Sequence, residues 1–121
     1  MKALLLAAAL AAASTGAALA QPYPSKPVRV IVGFPAGGGV DITARIFTAK
    51  LSEIWGSTIL VENRSGAGST VAADLVAKSP PDGYTLMLVS IASHGIAPSM
   101  YSKLPYDTTK DFAPISLIGT T

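Results

Sequence analysis

A chain of 121 residues is the length of one modest domain, and with half of it hydrophobic and only 13% charged it is not a disordered tail. Nine basic residues stand against seven acidic ones, with no cysteine and one histidine. That composition excludes a basic nucleic-acid footprint, a disulfide framework, thiolate chemistry and a Cys-based metal site.

Much of the apolar excess lies at the start. Met1-Lys2 precedes an Ala/Leu run to Ala13, and Ala18-Leu19-Ala20 supplies small residues before polar Gln21-Pro22. A basic start, a short apolar stretch and an A-x-A site predict a secretory signal peptide over 1–20, cut after Ala20. The run is shorter than the roughly 20 residues that span a bilayer, so no membrane insertion is expected after cleavage. Losing Lys2 leaves eight basic residues against seven acidic ones, so the mature chain is nearly balanced. Export without cysteine is compatible with a bacterial periplasm.

Pro22, Pro24 and Pro27 keep the mature start extended. Val28–Val32 is a nearly continuous β-branched run, which predicts a parallel strand buried on both faces. Gly33-Phe34-Pro35-Ala36-Gly37-Gly38-Gly39-Val40-Asp41 follows as a glycine-rich turn. A helix beginning at Asp41 or Thr43 and running to about Trp55 is predicted. Its apolar face is expected to hold Phe47, Leu51 and Ile54, flanked by Ile42, Ile46 and Ala49. Phe47 and Trp55 read as core, and Gly56 as the stop. Thr58–Val61 is the second strand, and Glu62–Gly68 the second loop. A helix from about Ser69 to Lys78, capped by Ser69 or Thr70, carries Val71, Ala72, Leu75 and Val76 on one side. Ser79–Gly83 turns into a third strand, Tyr84–Ser90. Ile91–Gly95 is a further turn, Pro98 starts a short helix, and Ile115–Ile118 begins a fourth strand.

The order β-α-β-α-β predicts an α/β fold with an open parallel sheet and right-handed crossovers. Ligands of such sheets sit beyond the carboxyl ends of the strands. Three loops lie there: Pro35–Asp41, Asn63–Thr70 and Ser90–Gly95. The first is not a P-loop, because Gly39-Val40 stands where Lys-Ser/Thr belongs, and neither glycine loop completes the dinucleotide fingerprint. No nucleotide or other cofactor is expected. What remains is a pair of strand-to-helix turns offering main-chain N–H groups to a small anion. Asp41 reads as a helix cap or as a partner of a ligand hydroxyl or water, and Arg64 as a solvated loop residue. His94 lies near Ser90 and Ser93, but no G-x-S-x-G elbow surrounds them. A small exported hydrolase-like enzyme using His94 with Ser90 or Ser93 is the alternative reading.

Taken together, these stretches resemble a known family. Tyr23-Pro24-Ser25-Lys26-Pro27-Val28-Arg29, Pro35–Asp41 with Ala44-Arg45, Val61–Gly68, Pro81–Leu86, Leu104-Pro105-Tyr106-Asp107 and Asp111-Phe112 are similar, in order and spacing, to the extracytoplasmic solute receptors of tripartite tricarboxylate transporters, the TctC or Bug family. The resemblance covers essentially the whole mature chain. It implies a periplasmic binding protein of type II fold, not an enzyme, whose two lobes close on a small carboxylate and deliver it to membrane permease subunits. It also implies that the first two loops hold one carboxylate through main-chain N–H groups and bridging waters. Carried over, that points to Ala36, Gly37, Gly38 and Asp41, and to Gly66, Ala67, Gly68, Ser69 and Thr70, with Ser90 and Ser93 as a further wall. Two positions depart from the family pattern: Ser69 and Ala72 stand where glycines are frequent. Family members are longer and carry a second lobe, so residues 21–121 are expected to be part of the first lobe, truncated before the second, with weak or no ligand capture alone.

Overall fold

The computed structural model describes residues 21–119; the predicted signal peptide lies outside them. Three strands, β1 (Val28–Val32), β2 (Ile59–Asn63) and β3 (Thr85–Leu88), form one parallel sheet in the order β2-β1-β3. Helix α1 (Gly39–Trp55) joins β1 to β2. Helix α2 (Thr70–Ala77), entered through a 3-10 turn at Ala67–Ser69, joins β2 to β3. A π-helical turn, Ala92–Ile96, and helix α3 (Ala97–Met100) follow.

The central position of β1 follows from its residues. Val28, Ile31 and Val32 are fully buried and Val30 nearly so. Side chains alternate faces along a strand, so both faces of β1 must be covered. Crossovers to opposite neighbours, each right-handed, place their helices on opposite faces. Accordingly α1 packs on β1 and β2, and α2 on β1 and β3. Burying each of these side chains contributes about 1.5–3 kcal/mol.

The face of α1 differs from expectation, whereas on α2 Ala72 is inward as expected, with Leu75 and Val76 half-buried. The inward residues of α1 are Asp41, Ala44 and Thr48, and those of α2 are Thr70, Ala72 and Ala73. The bulky residues point away: Ile42, Ile46, Phe47 and Ile54 on α1 and Val71 on α2 are exposed. Small side chains at inward positions let the helix backbones approach the sheet, and that close approach decided the face. Trp55 is half-buried, and Tyr23 packs edge-on to it, with ring centroids 5.7 Å apart. Gly56 ends α1 in the left-handed conformation (φ 60°, ψ 27°), as its residue type predicts.

Four expectations also move, the first being β2, which runs Ile59–Asn63 and not Thr58–Val61 and so takes Glu62 and Asn63 out of the expected second loop. Helix α1 starts at Gly39 with Gly38 as its N-cap, ahead of the predicted Asp41 or Thr43. Strand β3 is shorter than Tyr84–Ser90. Residues 115–118 form no strand, and Ile115, Leu117 and Ile118 are exposed; a lone apolar run without a paired neighbour has no ladder to join.

Candidate functional site

All three loops named from sequence leave the carboxyl ends of the strands. Val32 is in register with both Asn63 and Leu88, so the first loop is flanked by the other two. The order β2-β1-β3 reverses between β1 and β3, the topological switch point beside which open α/β sheets bind ligands.

The first loop is held from below by a polar network around Asp41. This side chain is 2% exposed. Its Oδ2 accepts from the Gly37 N–H (2.8 Å) and from Arg45 Nε (2.9 Å). Its Oδ1 accepts from Asn63 Nδ2 (2.9 Å), which also donates to the Phe34 carbonyl (3.0 Å). Arg45 Nη2 donates to Asn63 Oδ1 at 3.1 Å. Asp41 thus neither caps α1 at its N-cap position nor points into open solvent. It reaches back from the first turn and fixes the loop, where a negative charge also complements the helix dipole. The Arg45 guanidinium, the Gly37 N–H and the Asn63 amide hold its carboxyl well below the usual carboxylate range. Asn63 and Arg45 carry this work without having been singled out from sequence. The available signal was positional: Asn63 ends β2 beside Val32, and Arg45 follows Asp41 by one helical turn.

This network consumes some donors and leaves others. The N–H groups of Gly37 and Gly38 bond within the loop, to Asp41 and to the Pro35 carbonyl (3.3 Å). Gly39 and Val40 open a helix, so their N–H groups have no intrahelical acceptor. Pro35, Ala36, Gly37 and Gly39 are exposed.

The second loop bends through unusual backbone. Gly66, Ala67, Gly68 and Ser69 all have positive φ. The Arg64 N–H donates to the Val32 carbonyl (2.8 Å), which ties the loop's start to the end of β1. Arg64 itself pairs with Glu62, which Arg29 also meets at 2.7 Å; the two guanidinium groups lower the Glu62 pKa. Residues Arg64–Gly68 are exposed, whereas Ser69 and Thr70 are buried. Thr70 Oγ1 donates to the Ala67 carbonyl (2.9 Å). Ser69 occupies the N-cap position of α2 but makes no side-chain cap bond.

The third loop is drawn inward. Ser93 is fully buried, its Oγ donating to the Ser90 carbonyl (3.2 Å) and lying 3.0 Å from His94 Nδ1. The Tyr106 hydroxyl donates to the Ser93 carbonyl (2.8 Å), and Phe112 packs edge-on to His94 (4.5 Å). Burial lowers the His94 pKa. Its Nε2 and the Ser90 hydroxyl are buried without partners. A Ser–His hydrolytic pair needs an exposed nucleophile and a group orienting the imidazole. Here the hydroxyl is sealed and the far ring nitrogen is unpartnered. Among the described residues no cluster of three metal-ligating side chains occurs.

Two shallow grooves lie elsewhere. One, of about 610 Å³, runs along Tyr101–Asp111, and another, of about 460 Å³, lies between α1 and β2. Neither is lined by the glycine loops. The loops form an open rim, and their chemistry, not enclosure, marks them.

Residues 43–121, which include the second glycine loop, match a family model, that of the tripartite tricarboxylate transporter family receptor. The chain belongs to this TctC, or Bug, family. Among its TctC relatives, a UPF0065 protein of Bordetella bronchiseptica is 44% identical over 113 residues, covering 93% of this chain and 34% of the relative. MatC of Rhodopseudomonas palustris, solved with bound malate, shares 42% identity at a TM-score of 0.76, over 79% of this chain and 33% of that one. Another R. palustris protein, solved with adipate, shares 37% identity at a TM-score of 0.70, over 72% and 29%. The chain spans about a third of the length of the curated relatives it matches. One solved neighbour is the periplasmic binding protein BugD, and another is a periplasmic transporter. No helix among the described residues is long and apolar enough to cross a membrane.

Proposed function

We propose that residues 21–121 form part of the first lobe of an exported solute receptor and supply half of a carboxylate clamp. The reading rests on two exposed glycine-rich loops at adjacent strand ends, one braced by Asp41 and Asn63. Main-chain N–H groups around Ala36–Asp41 and Gly66–Thr70 hold one carboxylate of the solute, directly or through water. Ser90 and the buried Ser93 turn form the wall behind them. Donors without formal charge bind an anion and release it readily, as delivery to permease subunits of a tripartite transporter requires. The event is capture by closure against a second lobe, with no bond made or broken. Export proceeds by cleavage after Ala20.

Malate and adipate, bound by the two solved relatives, name the class to try first. Calorimetry of the chain with malate, adipate and the uncharged diamide of malate checks the proposal. Heat of binding for the acids and none for the diamide is expected. Equal binding of the diamide, or turnover of an ester substrate that His94→Ala abolishes, contradicts it.

A further inference from the structure

Ser69 combines three features that work against stability. Its backbone is left-handed (φ 73°, ψ 5°), a conformation glycine takes at no steric cost. It holds an N-cap position, yet its side chain makes no cap bond. Its hydroxyl is buried without a partner in a residue only 1% exposed. A serine kept under these conditions is fixed by something other than its own helix.

Its surroundings say what. The side chain lies over Gly33, the first residue after β1. A methyl group added to Gly33 would sit 1.7 Å from Ser69 Oγ, 2.5 Å from its Cβ and 3.0 Å from its Cα. Gly33 is buried and has no left-handed φ, so its backbone alone would accept other residues; the missing Cβ is explained by Ser69. This is where the start of the first loop and the end of the second touch. The Ser69 N–H donates to the Gly66 carbonyl (2.9 Å), so any movement of Ser69 carries the exposed part of the second loop with it. On the far side, the turn containing Ser69 packs against the Ala92–Ile96 turn.

We infer that the Gly33–Ser69 contact is the spacer that sets the separation of the two anion-binding loops. Ser69 is then a positioning residue: its Oγ and Cβ, the atoms nearest the missing Gly33 Cβ, together fix the gap. The inference deepens the carboxylate reading and rests on it for its affinity readout.

The test uses the full chain with Gly33→Ala, Ser69→Ala, Ser69→Gly and the double variant Gly33→Ala/Ser69→Gly. Malate affinity is measured by calorimetry, and loop geometry by backbone amide NMR shifts without ligand. Ser69→Ala keeps the Cβ and is expected to weaken binding less than Ser69→Gly. Gly33→Ala is expected to weaken binding roughly tenfold, the worth of about one hydrogen bond, and Ser69→Gly to weaken it less. The double variant recovers part of the Gly33→Ala loss, because only the residue-69 Cα, 3.0 Å from the new methyl, still crowds it. Ser69→Ala losing more affinity than Ser69→Gly makes the hydroxyl a ligand donor and overturns the spacer. Equal affinities across the set overturn it too. Should the parent bind no malate, the carboxylate reading fails on its own. The amide shifts then decide: Gly33→Ala and Ser69→Gly must move the signals of 33–41 and 66–70 together, and unchanged signals in either loop refute the spacer. Ser69→Gly introduces no clash and relieves the left-handed strain, so this arm survives if Gly33→Ala fails to fold.

Discussion

The first loop and the third solve the same problem, anchoring a strand-to-helix turn at the sheet's carboxyl end, in opposite ways. Around Asp41 every polar atom of the carboxylate is used, by partners on the loop, on α1 and on β2. Around the third loop the anchors are aromatic, Tyr106 and Phe112, and the Ser90 hydroxyl and His94 Nε2 are left over. A satisfied polar network rigidifies and specifies a geometry, whereas a partly satisfied one carries a continuing desolvation cost. The first loop is therefore built to hold a shape before a ligand arrives, and the third is built to be tied down by the segment that follows it.

Breaking the satisfied network has the largest effect. Asp41→Ala strands Arg45, Asn63 and the Gly37 N–H at once. A fall in Tm on the order of 10 °C is expected in a thermal melt, with loss of carboxylate binding. A Tm within a degree or two of the parent would mean that the network does not brace the loop. Next comes the aromatic anchor: Tyr106→Phe removes one hydrogen bond to the Ser93 carbonyl and should cost about 1 kcal/mol in urea unfolding, leaving malate affinity nearly unchanged. Ser90→Ala sharpens the contrast from the other side. Deleting an unpartnered buried hydroxyl is expected to leave stability unchanged or to raise it by up to about 1 kcal/mol, and a clear loss would reveal a partner for it.

The smallest effect is in pH. His94 has a folded pKa below its ordinary 6.5 because burial disfavours the charged form. Its unfolded form binds the proton more readily, so its contribution is fully present above about pH 6.5 and declines as pH falls towards the folded value. Asp41 and Glu62 also have lowered pKa values. Their contribution is fully present above the unfolded carboxylate range, near 4, and is lost as pH falls through the folded values. Stability measured against pH should thus fall in two stages, and His94→Phe should remove the first. A profile flat from pH 7 to 5 in the parent would contradict the burial of His94.

What sequence made legible follows the physics of each signal. The unbroken β-branched run of Val28–Val32 predicted a doubly covered strand, because nothing else buries such a run. The glycine loops and the Gly56 stop were visible because their backbone conformations favour few other residues. The face of α1 was not: Ile42, Ile46 and Phe47 outweigh Ala44 and Thr48 on any hydrophobic scale, yet closeness of packing selected the small residues. The exposed run at 115–118 misled for a related reason, since apolar character alone does not supply a pairing partner. At the site, residue types located the loops but not the roles. Asp41, expected as a cap or ligand partner, is a brace. Asn63, inside a family landmark but given no role there, joins it because strand register sets it beside Val32. Ser69's contact with Gly33 spans 36 positions and has no local trace.

The central claim is that the two glycine loops act as one anion site, and backbone amide NMR during a malate titration tests it most directly. Signals from 36–41 and 66–70 are expected to shift together along a single binding curve, while those of Tyr101–Asp111 stay fixed. Shifts confined to one loop, or appearing first along the Tyr101–Asp111 groove, would contradict it.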